Sequence, residues 1–437
     1  MTNLEIGILS FPALLLMIFV RVPIGLAMFL TGFFGYWLVT GSPNMAMARL
    51  KSGAYSTFAS ESLSVVPMFL LMGYFATIGG MSQALFKAAE AFVGHRKGGV
   101  GIAAIASCAG FGAICGSSLA TAATMGRVAL PELKRFGYHG GISTALLAAG
   151  GTLGILIPPS VVLVIYAILA EQNIAKLFLA AFAPGILAAI GYMIVISIYV
   201  RMYPDRAGVG ERVTWPNRMR LLMSVWPVLI VFLAVVGGIY GGIFTPTEGA
   251  AVGALGTGLI AFFNGGLTRK TLLDSFTSTA RSTAMIFFIV FGAAFYNSFL
   301  ALTQVPQTLS EWVVTLGLSP VMVLLLILLI YLVLGCVMDS LSMILLTVPI
   351  FFPMMMALDF GMSPEHVAIW FGILVLIVVE TGLITPPVGM NLFIINAMDR
   401  TTPMVETYKA VSFFVLSDLV RVGILVAFPA ITLFLIP

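Results

Sequence analysis

The chain has 437 residues, of which 60% are hydrophobic and 9% are charged. A mean hydropathy of +1.11 and a charged fraction far below the roughly 25% of soluble domains exclude an ordinary soluble protein. Apolar runs of about 20 residues, the length of a membrane-crossing helix, recur throughout and predict an all-α polytopic membrane protein. The net charge of +4 is carried by loops between spans, so lipid is the expected environment and no nucleic acid is expected as a partner.

In chain order, ten apolar segments have the length of a membrane crossing. They lie at about 5–20, 23–39, 62–79, 142–172, 175–200, 222–241, 247–263, 280–299, 366–397 and 410–436. Two longer apolar stretches, about 98–135 and 320–357, contain glycine breaks, and we expect each to be a re-entrant helical hairpin. With these assignments, fifteen lysines and arginines fall on one face and three on the other. The positive-inside rule then makes the first face cytoplasmic and places both termini in the periplasm.

The order of these segments occurs twice. Residues 1–202 and 222–437 each contain three spans, a hairpin, a broken span and a final span, and the polar stretch 203–221 is predicted to be a cytoplasmic linker. Each half has an odd number of crossings, so the second half is inserted upside down relative to the first. Inverted repeats are typical of secondary transporters. Three amphipathic stretches are expected to lie along the membrane surface, at 44–57, 81–94 and 305–316. The alternative is that all three are plain connecting loops.

A Pro-Pro pair interrupts one span in each half, at Pro158-Pro159 and at Pro386-Pro387. Proline lacks an N–H and clashes with the preceding turn, so the helices within about 142–172 and 366–397 must break. Each backbone carbonyl freed in lipid costs several kcal/mol unless it finds a partner. Carbonyl and hydroxyl oxygens suit a hard monovalent cation, whereas half-helix N-termini favour an anion. The alternative is a pair of proline kinks covered by neighbouring helices.

The turns of the two hairpins carry polar residues that would complete such a site. The first turn contains Gly116, Ser117 and Ser118, and the second contains Asp339 and Ser340. An ionisable residue at this depth is a functional hypothesis by itself, and Asp339 would either neutralise Na⁺ or carry a proton. The hydroxyl ligands do not titrate, which favours Na⁺. The alternative is that the serine and the aspartate only cap the second helix of each hairpin.

Four motifs resemble those of the large membrane subunit of tripartite ATP-independent periplasmic (TRAP) transporters. They are GSSLA at 116–120, GTLGILIPPS at 151–160, Asp339-Ser340, and ETGLITPPVGMNLF at 380–393, and the resemblance extends over essentially the whole chain. It implies an elevator-type transporter of the bacterial inner membrane, in which a transport domain slides against a scaffold. It implies Na⁺-coupled import of an organic acid, such as a C4-dicarboxylate or sialic acid. It also implies two partners, a separate small membrane subunit and a periplasmic solute-binding protein.

The resemblance places the Na⁺ ligands at the hairpin turns and beside the Pro-Pro breaks. They are Gly116, Ser117, Gly154, Asp339, Ser340, Thr381, Gly382 and Thr385. The acid is expected where the half-helices and turns converge, with Ser118, Thr121, Asn391 and Arg127 as candidate donors. Arg127 has an alternative place against lipid headgroups.

Other classes of function fit the sequence less well. A channel needs a continuous polar pore, whereas polarity is confined here to the two turns. An intramembrane protease needs two facing aspartates, and Asp339 has no obvious second partner within a span because Asp359 and Asp399 lie at span ends, so no enzyme is expected. An ion-coupled organic-anion permease that works without a binding protein remains the alternative. The lack of Ser-Asn-Thr turns, which are common in the wider class of ion transporters, argues against the dicarboxylate/sodium symporters of this kind.

Overall fold

The computed structural model describes residues 1–436, which contain helices and no strand. The first half has ten α-helices: α1 (Asn3–Phe19), α2 (Ile24–Thr40), α3 (Pro43–Phe58), α4 (Val65–Ile78), α5 (Met81–Val93), α6 (Gly99–Cys115), α7 (Ser118–Arg135), α8 (Gly140–Leu156), α9 (Val161–Leu169) and α10 (Ile174–Met202). The hydropathy pattern therefore predicts the fold class correctly, an all-helical membrane protein.

The second half has twelve α-helices within the described residues. They are α11 (Trp215–Met223), α12 (Trp226–Phe232), α13 (Gly238–Tyr240), α14 (Pro246–Phe263), α15 (Arg269–Thr303), α16 (Val305–Thr315), α17 (Pro320–Gly335), α18 (Ser340–Met356), α19 (Pro364–Gly382), α20 (Met390–Met398), α21 (Met404–Ala427) and α22 (Ala430–Leu433). A π-helical turn, Leu233–Gly237, joins α12 to α13, so these three elements form one continuous span.

Four helices, α10, α15, α19 and α21, are each long and apolar enough to cross a membrane, and the number is up to seven when each bent helix pair is taken as one span. Five further apolar helices are shorter. These are α1 and α2, which lie in predicted spans, and α6, α17 and α18, which lie in predicted hairpins. Their length of 16 or 17 residues is near the lower limit for crossing a bilayer.

The predicted hairpins and broken spans have helical arms separated by short turns. α6 and α7 meet at Gly116 and Ser117, and α17 and α18 meet at 336–339. α8 and α9 are bent by 47° across the first Pro-Pro break, and residues 383–389 separate α19 from α20. α3, α5 and α16 occupy the three amphipathic stretches, and α11 begins inside the predicted linker. The position of these helices relative to a membrane surface remains a prediction.

Corresponding helices of the two halves pack in corresponding ways. α2 lies along α15, and α4 lies along α14; α6 and α7 pack on α8, whereas α17 and α18 pack on α19. The long helices α10 and α21 pack against each other and contact both α8 and α19. This repetition of contacts is what two related halves would produce, and the inverted relation between them remains a prediction.

Candidate ion and substrate site

A cavity of about 1090 Å³ lies between the hairpin turns and the group of helices formed by α2, α4 and α15. Ser117, Ser118, Asp339 and Ser340 line it from the two turns. The opposite wall carries hydroxyl groups and a few charges, from Arg21, Tyr74, Thr77, Asp274, Ser275, Ser278 and Ser282. A partly polar cavity with a small number of convergent charged groups is typical of a small-molecule site.

The first hairpin turn packs closely against the first broken helix. Gly116 has a φ of +65°, a conformation that favours glycine. Its carbonyl oxygen accepts a hydrogen bond from the N–H of Val161 at 3.4 Å. A Cβ added to Gly154 would lie 2.7 Å from the carbonyl oxygen of Ser117, and one added to Gly112 would lie 2.6 Å from the Cα of Gly154. The structure therefore brings together the three predicted ligand positions of the first half.

Thr121 lies on the same side of this turn. Its side chain is buried, and its hydroxyl oxygen has no hydrogen-bond partner among residues 1–436. A Cβ on Gly154 would clash with that oxygen. Thr121 does not line the cavity. Thr121 is therefore better placed to bind a cation at the first turn than to donate a hydrogen bond to the substrate. The predicted role as substrate donor remains untested.

The second hairpin turn repeats the glycine contact. A Cβ added to Gly382 would lie 2.6 Å from the Cα of Gly335. The carbonyl oxygen of Cys336, in the turn, accepts a hydrogen bond from the N–H of Gly389 at 3.3 Å. Both Gly154 and Gly382 stand four residues before a Pro-Pro pair, and in each half this glycine lets the hairpin backbone approach the break.

Asp339 and Ser117 cap the second helices of their hairpins. The Asp339 carboxylate accepts a hydrogen bond from the N–H of Ser342 at 3.1 Å, and the Ser117 hydroxyl accepts one from the N–H of Ala120 at 3.4 Å. The capping role considered from the sequence is thus present in both turns. It leaves free lone pairs on each side chain, so it is compatible with ligand binding.

The threonine side chains of the second break bond to their own helix. Thr381 Oγ1 donates to the carbonyl oxygen of Ile377 at 2.8 Å, and Thr385 Oγ1 donates to that of Thr381 at 2.7 Å. Because each hydroxyl donates its proton to another oxygen, its own lone pairs remain available to a cation. Thr381 and Gly382 end α19 beside the contact with Gly335, and Thr385 lies three residues beyond the end of that helix.

The remaining two predicted substrate residues lie in different places. Asn391 is fully buried, and its Nδ2 donates to the carbonyl oxygen of Ala148 at 3.2 Å, so it links the second break to α8 of the first half. Arg127 is exposed and lines the cavity. Within residues 1–436 it has no acidic partner within 4 Å. Its place in the cavity wall is compatible with the role of carboxylate donor, which remains a prediction.

The structure contains buried charges that the sequence reasoning missed. Glu380 on α19 is fully buried, and its Oε1 accepts a hydrogen bond from Ser340 Oγ at 2.6 Å. Asp418 and Arg421 on α21 form a buried ion pair at 2.9 Å. The sequence analysis sought only a second aspartate to face Asp339, and it considered neither Glu380 nor Asp418. The available signal was an ionisable residue inside an apolar helix. The sequence analysis considered ionisable residues at the hairpin turns and did not consider these.

A chain of hydrogen bonds connects this ion pair to both broken helices. Tyr192 Oη donates to Asp418 Oδ2 at 2.8 Å and lies 3.0 Å from Thr152 Oγ1 on α8. The Thr381 hydroxyl lies 3.4 Å from the same Asp418 oxygen. The network holds α8 and α19 at fixed positions relative to α10 and α21.

A second polar cluster ties the two halves together beyond the end of the broken helix. Lys134, near the end of the first hairpin, forms an ion pair with Asp399 at 2.7 Å. Burial disfavours the charged form of Asp399, but hydrogen bonds from Lys134, Thr401 and Thr402 outweigh burial and lower its pKa to about 2. Asp399 is therefore ionised at neutral pH, which favours its ion pair with Lys134.

The described residues hold no group of three or more His, Cys, Asp or Glu that could bind a metal ion. The oxygen atoms at the turns are instead hydroxyls, carbonyls and single carboxylates. Such ligands suit hard cations and not transition metals. The residues present are thus compatible with the predicted Na⁺.

Paired hairpins and interrupted helices around a partly polar cavity are typical of secondary transporters. The chain matches the family model of the tripartite ATP-independent periplasmic transporter, DctM component, over residues 11–431. It is 38% identical to the C4-dicarboxylate TRAP transporter large permease protein of Pseudomonas aeruginosa, over 87% of each chain. The protein therefore belongs to the TRAP transporter family, as a large membrane component of the multi-pass inner-membrane type.

Two further comparisons extend this result. The chain is 30% identical to the sialic acid TRAP transporter large permease protein of Vibrio cholerae, over 96% of each chain. The crystal structure of the Alcanivorax borkumensis YdaH transporter has a similar fold, with a TM-score of 0.63 over 88% of this chain and 89% of that one, at 16% sequence identity. The fold thus extends to a solved transporter structure at low sequence identity.

Proposed function

We propose that this protein imports an organic acid across the bacterial inner membrane, by an elevator mechanism coupled to Na⁺. The observation that carries the proposal is the cavity between the hairpin turns and the group formed by α2, α4 and α15. In an elevator, one rigid group of helices carries the site past another. The hairpins and broken helices would form the transport domain, and α2, α4, α14 and α15 would belong to the scaffold.

The lining of the cavity suggests which side it opens to. Arg21 and Asp274 line it, and both lie at span ends that the charge distribution assigns to the cytoplasm. The described conformation would therefore be inward-facing, ready to release substrate. The same charge distribution predicts that both termini lie in the periplasm.

The cargo that fits this cavity is an acid. Arg127 presents an unpaired guanidinium group to the cavity, and a guanidinium binds carboxylates well. The two curated relatives described above are named for C4-dicarboxylate and for sialic acid, and both cargoes carry carboxylates. The oxygen ligands at Ser117, Thr381 and Thr385 would hold Na⁺, which supplies positive charge and drives uptake.

Two protein partners follow from membership in a tripartite family. A periplasmic solute-binding protein would deliver the acid, and a small membrane subunit would assemble with this chain. The test is uptake into liposomes that contain both membrane subunits, with the loaded binding protein added outside. We expect uptake only with the binding protein and an inward Na⁺ gradient. Saturable uptake of free acid without the binding protein would instead favour a stand-alone permease.

A further inference from the structure

Glu380 is a buried carboxyl group without a positive partner. It lies in the last turn of α19, its side chain has no exposed surface, and it immediately precedes Thr381 and Gly382. Within residues 1–436, no nitrogen of Lys, Arg or His lies within 4 Å of its carboxylate. The other buried carboxylate of this region, Asp418, is paired with Arg421 at 2.9 Å, so Glu380 differs from it in lacking a fixed counter-charge.

Both hairpin turns reach this carboxyl group. Ser340, from the second turn, donates to Glu380 Oε1 at 2.6 Å. The hydroxyl of Ser118, from the first turn, lies beside the same carboxyl group. Ser118 and Ser340 also line the cavity. Glu380 therefore lies directly behind the part of the cavity wall that the two turns form, which we call the cavity floor.

One oxygen of Glu380 is left without any partner. Its Oε2 is buried and forms no hydrogen bond within the described residues. Burying an unpaired ionised carboxylate is costly, and the cost is removed either by protonation or by a nearby positive charge. The neighbouring side chains supply hydroxyl oxygens and no cationic group, so a bound cation would provide the missing charge.

We propose that Glu380 is the fixed negative charge of a cation site that joins the two hairpin turns, with the hydroxyls of Ser118 and Ser340 as neighbouring ligands. This deepens the proposed Na⁺ coupling and rests on it. The site takes a hard monovalent cation, because its ligands are carboxylate and hydroxyl oxygens. A cation here draws both turns toward one carboxylate and sets the geometry of the cavity floor on which the acid lies.

Asp339 has a different role in this arrangement. It lines the cavity and is partly exposed, so its charge is screened by water in the cavity. The carboxylate that a cation neutralises most strongly is the one that water does not reach. We therefore assign the charged ligand of the second site to Glu380, whereas the sequence analysis assigned it to Asp339.

The test measures Na⁺ binding and transport in the same set of variants. Full-length protein with its small membrane subunit is purified in detergent, and the shift in thermal unfolding is recorded as NaCl replaces choline chloride at constant ionic strength. Uptake in liposomes gives the Na⁺ concentration for half-maximal rate. We expect Glu380→Gln, which keeps size and shape, to abolish the thermal shift and to raise the half-maximal Na⁺ concentration about tenfold or more.

Two further variants make the result specific. Glu380→Asp keeps the charge and should retain part of the Na⁺ response, whereas the matched surface control Glu132→Gln should behave as wild type. If Glu380→Gln does not yield folded protein, Ser118→Ala and Ser340→Ala take its place, and each should weaken the Na⁺ response by removing one oxygen.

The outcomes separate this inference from the proposed function. An unchanged Na⁺ response in Glu380→Gln, or in both serine variants, overturns the assignment of Glu380 and leaves Na⁺ coupling intact. A wild-type protein that shows no Na⁺ response in either measurement overturns Na⁺ coupling and this inference with it.

Discussion

The two hairpin turns have the same backbone contact and different charges. In the first half Gly112 meets Gly154, and in the second half Gly335 meets Gly382, in each case with no room for a Cβ between the two backbones. The turns nevertheless present different side chains at equivalent positions. The backbone contact is thus common to both halves, whereas the side chains around it differ.

The difference can be read position by position. Four residues after the hairpin glycine stands Gly116 in the first half and Asp339 in the second, and two residues before the glycine of the broken helix stands Thr152 in the first half and Glu380 in the second. The first half is neutral at both positions, and the second carries a carboxylate at both. We therefore expect the second half to hold its cation more strongly and to dominate the dependence on Na⁺.

The largest expected effect comes from the ion pair that supports both halves. Asp418→Leu leaves the Arg421 guanidinium buried without its partner, and breaking a buried pair in this way costs about 3–5 kcal/mol. We expect a strongly lowered thermal unfolding temperature and loss of transport. The double variant Asp418→Leu, Arg421→Met should recover most of the stability, because neither charge remains. A single variant as stable as wild type would show that the pair does not hold α8 and α19 in place.

The next largest effect tests the shared glycine contact. Gly154→Ala and Gly382→Ala each place a Cβ within 2.7 Å of hairpin backbone atoms, and such overpacking typically costs about 1–3 kcal/mol. Both variants should lose most transport activity to a similar extent. Gly423→Ala on α21 is the matched control, because nothing lies within 4 Å of its added Cβ. A large loss in one half and none in the other would contradict a common backbone contact.

A smaller effect distinguishes binding of the acid from binding of the cation. Arg127→Gln removes the guanidinium from the cavity wall, and we expect the KM for the acid delivered by the binding protein to rise about tenfold, as for loss of one charge-assisted hydrogen bond. The half-maximal Na⁺ concentration should change little. Arg135→Gln, on the exposed end of the same helix, is the control. An unchanged KM would return Arg127 to the lipid-facing alternative.

The smallest effect concerns Asp339. Asn is as good a helix cap as Asp, so Asp339→Asn should fold normally, and loss of a partly exposed charge should raise the half-maximal Na⁺ concentration by only about twofold. The comparison is with Glu380→Gln, for which we expect a far larger shift. If the order of the two variants is reversed, Asp339 is the principal carboxylate of the cation site.

Local physics explains why much of this architecture is predictable from the sequence. The breaks at Pro158-Pro159 and Pro386-Pro387 follow from a missing N–H and a steric clash, which depend on neighbouring residues alone. The hairpin boundaries follow from hydropathy and glycine content in the same way. The family resemblance placed Gly154 and Gly382 beside the Pro-Pro breaks, but the structure was needed to show that each contacts a hairpin glycine.

The buried partners were less accessible to prediction. Asn391 bonds the backbone of Ala148, 243 positions earlier in the chain, and no local pattern specifies such a pairing. Glu380 stood in a motif taken from the sequence, but its lack of a cationic neighbour is a property of packing. Hydropathy shows that a charge lies in a span, and only tertiary contacts show whether it is paired.

The most direct test of Na⁺-coupled import is to follow both solutes in the same vesicles. Liposomes containing both membrane subunits are supplied with loaded binding protein, and acid uptake and ²²Na⁺ uptake are measured together. We expect the two fluxes to rise together, and we expect an inward Na⁺ gradient to accumulate the acid above its outside concentration. Accumulation driven equally well by a proton gradient alone, without ²²Na⁺ entry, would contradict Na⁺ coupling.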